Sequence, residues 1–374
     1  MTIQKNERLL SLDVFRGITI AGMILVNNPG SWNHIYPALE HASWNGVTPT
    51  DLIFPFFLFI VGVAITISLT KRKERKDNQL KLFFQIFRRS AILFLLGLIM
   101  YGFPNYDLST IRIMGVLQRI SICYFAASII FLKVNIKIIP YLAFGLLFFY
   151  WALMTLIPVP GVGYANLYPS TNLGAWVDRT IIGVQHLWAG SKVWDPEGLL
   201  SDIPAIATTL FGVIAGNWLR KSIDTLSKVI WMFFWGNVGL VLGTIWDIWF
   251  PINKNLWTSS FVIFTTGMAL QFLSMCYLII DIKGFKTWTK PFVIYGVNAI
   301  TVFFLSGIVD RILVMIKVRN SSGQNTSLMN YLYTTIFTWW LSPINASLAW
   351  AVLNVIFWLG FLWVLYRNNI FIKV

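Results

Sequence analysis

Charge is scarce in this chain, and negative charge is the scarcer sign. Only 12% of the 374 residues are Asp, Glu, Lys or Arg, and 15 carboxylates stand against 29 basic groups. A soluble domain devotes about a quarter of its residues to charge. With 57% of the chain hydrophobic, a soluble globule could not hide its apolar surface, and that class is excluded. Cysteine is nearly absent: Cys123 and Cys276 both lie inside apolar runs, which excludes a disulfide framework or a thiolate metal cluster. Three histidines, His34, His41 and His186, show no i, i+4 spacing and no companion carboxylate cluster, so no zinc site and no other metal is expected. No G-x-S-x-G, Walker loop or Rossmann glycine pattern occurs in a suitable context.

What the chain does have is apolar runs near the ~20 residues that cross a bilayer. They fall at roughly 10–28, 50–70, 83–103, 111–132, 138–158, 199–219, 229–250, 257–280, 291–316 and 346–366. The first run starts late and is followed by no small-residue cleavage pattern, so it reads as a retained span rather than a signal peptide. The expected class is an all-α polytopic membrane protein of about ten spans, forming one integral domain over 1–374 without internal repeats. Two connections are long: 159–198, rich in Gly, Pro, Asn and Trp, and 317–345. Within the latter, "NYLYTTIFTWWL" is too short to cross and too aromatic to ignore, and an extra helix lying at the interface is expected there.

The net charge of +14 could suggest nucleic acid, but its distribution does not. Basic residues gather between alternate spans: "KRKERK" at 71–76, Lys133 and Lys137, "RK" at 220–221, Lys283, Lys286 and Lys290, then Arg367 and Lys373. That is the positive-inside pattern. It puts both termini in the cytoplasm and His41, 159–198, 251–257 and 317–345 outside, with the lipid bilayer as partner and nucleic acid excluded.

Ionisable groups inside spans are costly and often functional. Asp13 and Arg16 lie three apart in the first span, hence on one helix face. Asn27 is eleven residues beyond Arg16, about 1100° of rotation, and Asp13 to Asn27 covers about 21 Å. An Asp–Arg pair gluing helices is one reading; a polar-lined cavity is the other, favoured by the alignment with Asn27. In the fourth span, Arg112 and Arg119 are seven apart on the expected helix, with Gln118 beside the second. Each arginine needs an anion, either a structural carboxylate such as Asp13 or a bound ligand.

Thr48-Pro49-Thr50-Asp51 reads as a helix start, with Thr48 as cap and Asp51 three residues on. His41 precedes that cap among Ser43, Trp44 and Asn45, an ionisable group near neutral pH beside the outer end of the polar stripe. Asp195 and Glu197 in "VWDPEGLLSDIP" could cap the next helix or receive a polar or cationic substrate. Asn253, Lys254 and Asn255 sit at another outer helix start.

Together "SLDVFRGITIAGMILVNN", "HASWNGVTPTDLIFPFFLFIVG", "RIMGVLQRISICYF", "DPEGLL", "INKNLWTSS" and "YRNNIFIKV" resemble the heparan-α-glucosaminide N-acetyltransferase family of transmembrane acyltransferases. They occur in family order from about Ser11 to Val374. The resemblance implies acetyl-CoA as cytosolic donor substrate, an amino-sugar or glycan acceptor across the membrane, and no metal. It places the family's active histidine at His41, its "VN" asparagine at Asn27, and its arginines at Arg16, Arg112 and Arg119. On this reading His41, Asn27 and Asp51 serve the chemistry, and Asp13, Arg16, Arg112, Gln118 and Arg119 the donor. Trp44, Asn45, Asp195, Glu197, Asn253 and Lys254 then serve the acceptor. The animal lysosomal enzymes carry an added luminal segment and leading span, so a bacterial-type form in the inner (plasma) membrane is expected, and a homodimer is compatible with it. His41 would act as general base or acetyl carrier, with Asn27 contributing about 3 kcal/mol at the oxyanion if it resembles other side-chain donors. Two other readings stay open: an O-acyltransferase of cell-envelope glycans, and a secondary transporter, which polar groups along about ten spans would also suit.

Overall fold

The computed structural model describes residues 9–320 and 323–372. Lys373 and Val374, named above, lie outside the described residues. Helices dominate: α1 (Leu10–Asn27), α2 (Ile53–Glu74), α3 (Gln79–Gly102), α4 (Val116–Lys133), α5 (Ile139–Leu156), α6 (Leu173–Ile181), α7 (Asp202–Leu219), α8 (Thr225–Asp247), α9 (Ser259–Cys276), α10 (Lys290–Val297), α11 (Ala299–Met315), α12 (Leu328–Tyr333) and α13 (Pro343–Arg367). Among the described residues, nine helices are long and apolar enough to cross a membrane, or ten spans if the bent pair α10–α11 counts as one. The chain is an all-α, multi-pass membrane protein, as its hydropathy indicated.

Three details depart from the sequence reading. The fourth helix starts at Val116, so Arg112 stands in the segment before it and shares no helix face with Arg119. The cause is a distant segment: His186 Nδ1 donates to the Ile111 carbonyl at 2.7 Å, and the Ile113 N–H donates to the His186 carbonyl at 3.2 Å. Those bonds hold 111–113 outside the helix. The ninth span is not straight; α10 and α11 meet at 79°. At the break, Asn298 donates to the Ile370 carbonyl at 3.1 Å and accepts from the Ile372 N–H at 2.9 Å, so residues 370–372 occupy the bend. The 159–198 connection is partly helical, since Asn172 accepts from the Ala175 N–H at 2.9 Å and starts α6. The aromatic segment at 330–341 is helical but short, α12 continuing as a π-turn over Thr334–Thr338, with Trp339 and Trp340 exposed. A two-stranded hairpin, Lys317–Arg319 paired antiparallel with Asn325–Ser327, precedes it.

Contacts gather into two compact units. Among the described residues the first comprises 9–40, Ile223–Phe234 and 270–372, and the second His41–Ser222 and Trp235–Ala269. In the first, α1 and α10 approach so closely that a Cβ on Gly17 would stand 1.8 Å from the Phe292 carbonyl oxygen. In the second, α2 packs along α7 in the same way: Gly62 lies against the Thr209 carbonyl, and Gly212 against that of Phe59. Small residues that let backbones touch are how apolar helices gain packing energy without a hydrophobic drive between them.

Candidate active site

Asp51 begins the site. Thr48 and Asp51 form the capping box read from the sequence: the Thr48 N–H and hydroxyl donate to Asp51 Oδ2 at 3.0 and 3.1 Å, and the Ala42 N–H adds a third bond at 3.0 Å. The other oxygen, Oδ1, accepts from His41 Nδ1 at 2.7 Å. One buried carboxylate, 1% exposed, thus caps the 3-10 turn Pro49–Leu52 that leads into α2 and orients an imidazole that is 46% exposed. A carboxylate at Nδ1 requires the tautomer with the proton on that nitrogen, which makes Nε2 the ring's basic nitrogen.

Lys254 completes the cluster. Its Nζ lies 2.9 Å from His41 Nδ1, 3.3 Å from Nε2 and 3.5 Å from Asp51 Oδ1. Burial pushes this ammonium below its ordinary pKa, against the opposing pull of Asp51 and Glu197. A distant turn brings it there: the Gly46 N–H donates to the Ile252 carbonyl at 2.7 Å, and Asn253 Nδ2 donates to Asn45 Oδ1 at 3.1 Å. Trp257 closes that turn at φ 52°, a region few side chains adopt, and is only 1% exposed. Trp44 donates to the Leu167 carbonyl at 2.9 Å and meets the Trp194 ring edge-on at 5.0 Å.

Behind this cluster lies a second one, built on two arginines. Arg112 binds Asp195 in a bidentate pair at 2.9 and 2.5 Å and Glu197 at 2.6 Å, with Tyr101 Oη at 3.2 Å. Arg119 is fully buried: it donates to Asp202 at 3.0 Å, to the carbonyls of Pro196 and Gly198 at 3.0 and 3.2 Å, and to Ser201 Oγ. Its guanidinium also stands 5.0 Å from the Trp257 ring centre. The "DPEGLL" segment is therefore tied to α4 and, through Trp257, to the Lys254 turn. Both arginines meet structural carboxylates, although not Asp13.

The sequence-predicted residues divide by place. His41, Trp44, Asn45, Asp51, Arg112, Gln118, Arg119, Asp195, Glu197, Asn253 and Lys254 all fall within the second unit. Gln118 is wholly buried against Gly97, and its amide has no hydrogen-bond partner among the described residues. Asp13, Arg16 and Asn27 belong to the first unit. There Arg16 donates to Asp13 at 3.3 Å and to the Gly296 carbonyl at 3.4 Å, while Asn27 ends α1 with its side chain exposed. Sequence reasoning missed Asp202, the partner of Arg119, and Asp178 on α6, whose Oδ1 accepts the Leu199 N–H at 2.9 Å. Burial, reinforced by Asp195 and Asp202, pushes the Asp178 carboxyl up to about 7 against the pull of the Leu199 N–H and Arg119. A lone carboxylate in an aromatic stretch, "GAWVDRT", was the available signal. No group of three His, Cys, Asp or Glu side chains disposed to hold a metal occurs among the described residues.

Fold and cluster define a class: a helical multi-pass membrane protein that carries an imidazole oriented by a carboxylate at the start of a span. Comparison with known proteins narrows it. Residues 8–131 match a family described as a domain of unknown function, DUF5009. The heparan-alpha-glucosaminide N-acetyltransferase of Homo sapiens is 32% identical over 351 residues, covering 79% of this chain and 52% of the human protein. That of Mus musculus is 32% identical over the same length, covering 53% of the mouse protein. The chain is thus a relative of the heparan-alpha-glucosaminide N-acetyltransferases, as its motifs indicated, and it spans about half the length of the curated relatives it matches.

Proposed function

We propose that this protein is a membrane-embedded acetyltransferase that moves an acetyl group from acetyl-CoA to the amine of an amino sugar. The observation that carries the proposal is the Asp51–His41 pair with Lys254 at 2.9 Å, assembled from the "HASWNG" and "INKNLW" segments. The relatives' printed activity, N-acetyl transfer to heparan α-glucosaminide, supports the same chemistry.

In the reaction the acceptor nitrogen attacks the thioester carbonyl, the C–N bond forms, and the C–S bond breaks to release CoA thiolate. His41 Nε2 takes the proton that the amine sheds and passes it to the thiolate, so no net acid or base is consumed. Asp51 holds the imidazole in the required tautomer and stabilises it once charged. Lys254 offers a cation to the developing oxyanion; Asn27 is proposed as a further hydrogen-bond donor to it. Asp13 and Arg16 are proposed to face the donor, which reaches the site from the cytoplasmic side, while the acceptor arrives from the opposite face. Arg112 and Arg119 act in this reading by holding the acceptor-side segment 195–202.

The test is transfer of labelled acetyl from acetyl-CoA to glucosamine by purified protein in lipid nanodiscs. Product that depends on His41 supports the assignment; CoA that neither binds nor is turned over removes it. Stoichiometric labelling of the protein when acceptor is withheld would show His41 carrying the acetyl group itself rather than only the proton.

A further inference from the structure

Four carboxylates crowd the segment behind His41, and the basic groups there satisfy three. Asp195 and Glu197 share Arg112, and Asp202 has Arg119. Among the described residues Asp178 forms no salt bridge, and Arg119, which acts on it at longer range, is bonded to Asp202. The neighbouring Arg179 turns to the carbonyls of Ser170 and Val193 at 2.9 and 2.7 Å, and Lys254 is engaged by Asp51 and His41. Asp178 is 97% buried, its Oδ1 is occupied by the Leu199 N–H, and its Oδ2 accepts no hydrogen bond among the described residues.

That oxygen has space made for it. A Cβ on Gly198 would stand 2.0 Å from Asp178 Oδ2, so glycine in "DPEGLL" is what lets the carboxylate lie where it does. Asp178 lines an open cleft with Asn172, Trp194, Asp195, Ser201 and Asn255, and its enclosed part holds about one water-sized group, the size of an ammonium rather than of a sugar ring. Two of its lining residues lead toward the His41 cluster: Trp194 meets the ring of Trp44, three residues beyond His41 in sequence, and Asn255 follows Lys254.

We propose that Asp178 is the anionic half of a receptor for a cationic amine, with Trp194 as the apolar wall and Asn255 as polar edge of the same cleft. The proposal deepens the acetyltransferase reading and rests on it only in naming the amine as that of the acceptor sugar. A buried carboxylate without a cation is costly, and a ligand ammonium supplies the missing partner. The Asp178–ammonium pair selects an amino sugar over its hydroxyl counterpart, since a sugar hydroxyl leaves the carboxylate without a counter-charge.

The experiment is calorimetric titration of the full chain in detergent micelles with D-glucosamine and with D-glucose, near pH 7.5, without acetyl-CoA. The wild-type protein is expected to bind glucosamine at least about tenfold tighter, and Asp178→Asn to abolish that preference while leaving glucose binding unchanged, because loss of one partner of a desolvated charge pair costs this much or more. Equal affinity of the wild type for both sugars overturns the proposal, as does an Asp178→Asn protein that keeps the preference. The wild-type comparison needs no variant to fold, and a melting curve of Asp178→Asn shows whether its own result can be read as binding. Amine-selective binding without acetyl transfer would overturn the enzyme reading and leave the amine receptor standing. Transfer without amine selectivity would do the reverse.

Discussion

The two polar clusters of the second unit are built from the same kinds of side chain and differ in what they leave unmatched. Around Arg112 and Arg119, every guanidinium is met by carboxylates or carbonyls, and Arg119 has no exposure at all. Around His41 the matching stops short: the imidazole is 46% exposed, and among the described residues Nε2 meets the Lys254 ammonium alone, at 3.3 Å. A saturated buried network holds chain segments in place, because each of its groups would be costly to strand. An unsaturated one has capacity left for a reactant. The difference teaches that ionic residues at a membrane helix end must be sorted by their remaining bonding capacity, not by their charge.

The sharpest way to break this comparison is His41→Ala. Transfer is expected to fall by about 10²–10⁴-fold, the range of a lost general base, with CoA affinity and melting temperature unchanged. Retained turnover in a radiochemical assay would move the chemistry elsewhere. Arg119→Ala should do the opposite, lowering stability by about 3–5 kcal/mol through the stranded Asp202, read as an earlier unfolding transition in detergent. If Arg119→Ala melts like wild type yet loses CoA binding, the scaffold assignment fails. Asp51→Asn tests the residue that serves both helix and imidazole: about 10²-fold slower transfer from the misoriented ring, and about 1 kcal/mol less stability from the weakened cap. A purely structural Asp51 would lower stability alone.

The smallest expected effect is in pH. Asp178 binds its proton more tightly in the folded chain, at about 7, than at its ordinary value of 3.8. The folded state therefore holds the extra proton between those values, and the stabilisation is full below about 4 and lost as pH rises through 7. Asp195, Asp202 and Arg119 face the same carboxyl, and Asp178→Asn should flatten the slope of melting temperature between pH 5 and 8 in the protein without acceptor. An unchanged slope would assign the titration to another group.

Much of this was legible from residue order alone. The spans could be read because each is an uninterrupted apolar run, and the Thr48–Asp51 cap because its spacing is set by helix geometry. His41 could be singled out by its position, but its partner Lys254 lies 213 residues away, across a contact that no periodicity encodes. Arg112 was given a helical face because hydropathy does not register a backbone bond to His186. The bend at Asn298 escaped for the same reason, since its cause is the returning segment at Ile370 and Ile372. Asp178 was overlooked because its significance is a missing partner, which only a three-dimensional census of charges exposes.

The double use of Asp51 couples two properties that usually vary independently. Fraying of the Pro49–Leu52 turn that leads into α2 would release the imidazole at the same moment, so heat should silence the chemistry before the bundle comes apart. Any drift that retunes where this span begins would also retune the proton acceptor, which leaves the entrance to the second helix little evolutionary latitude.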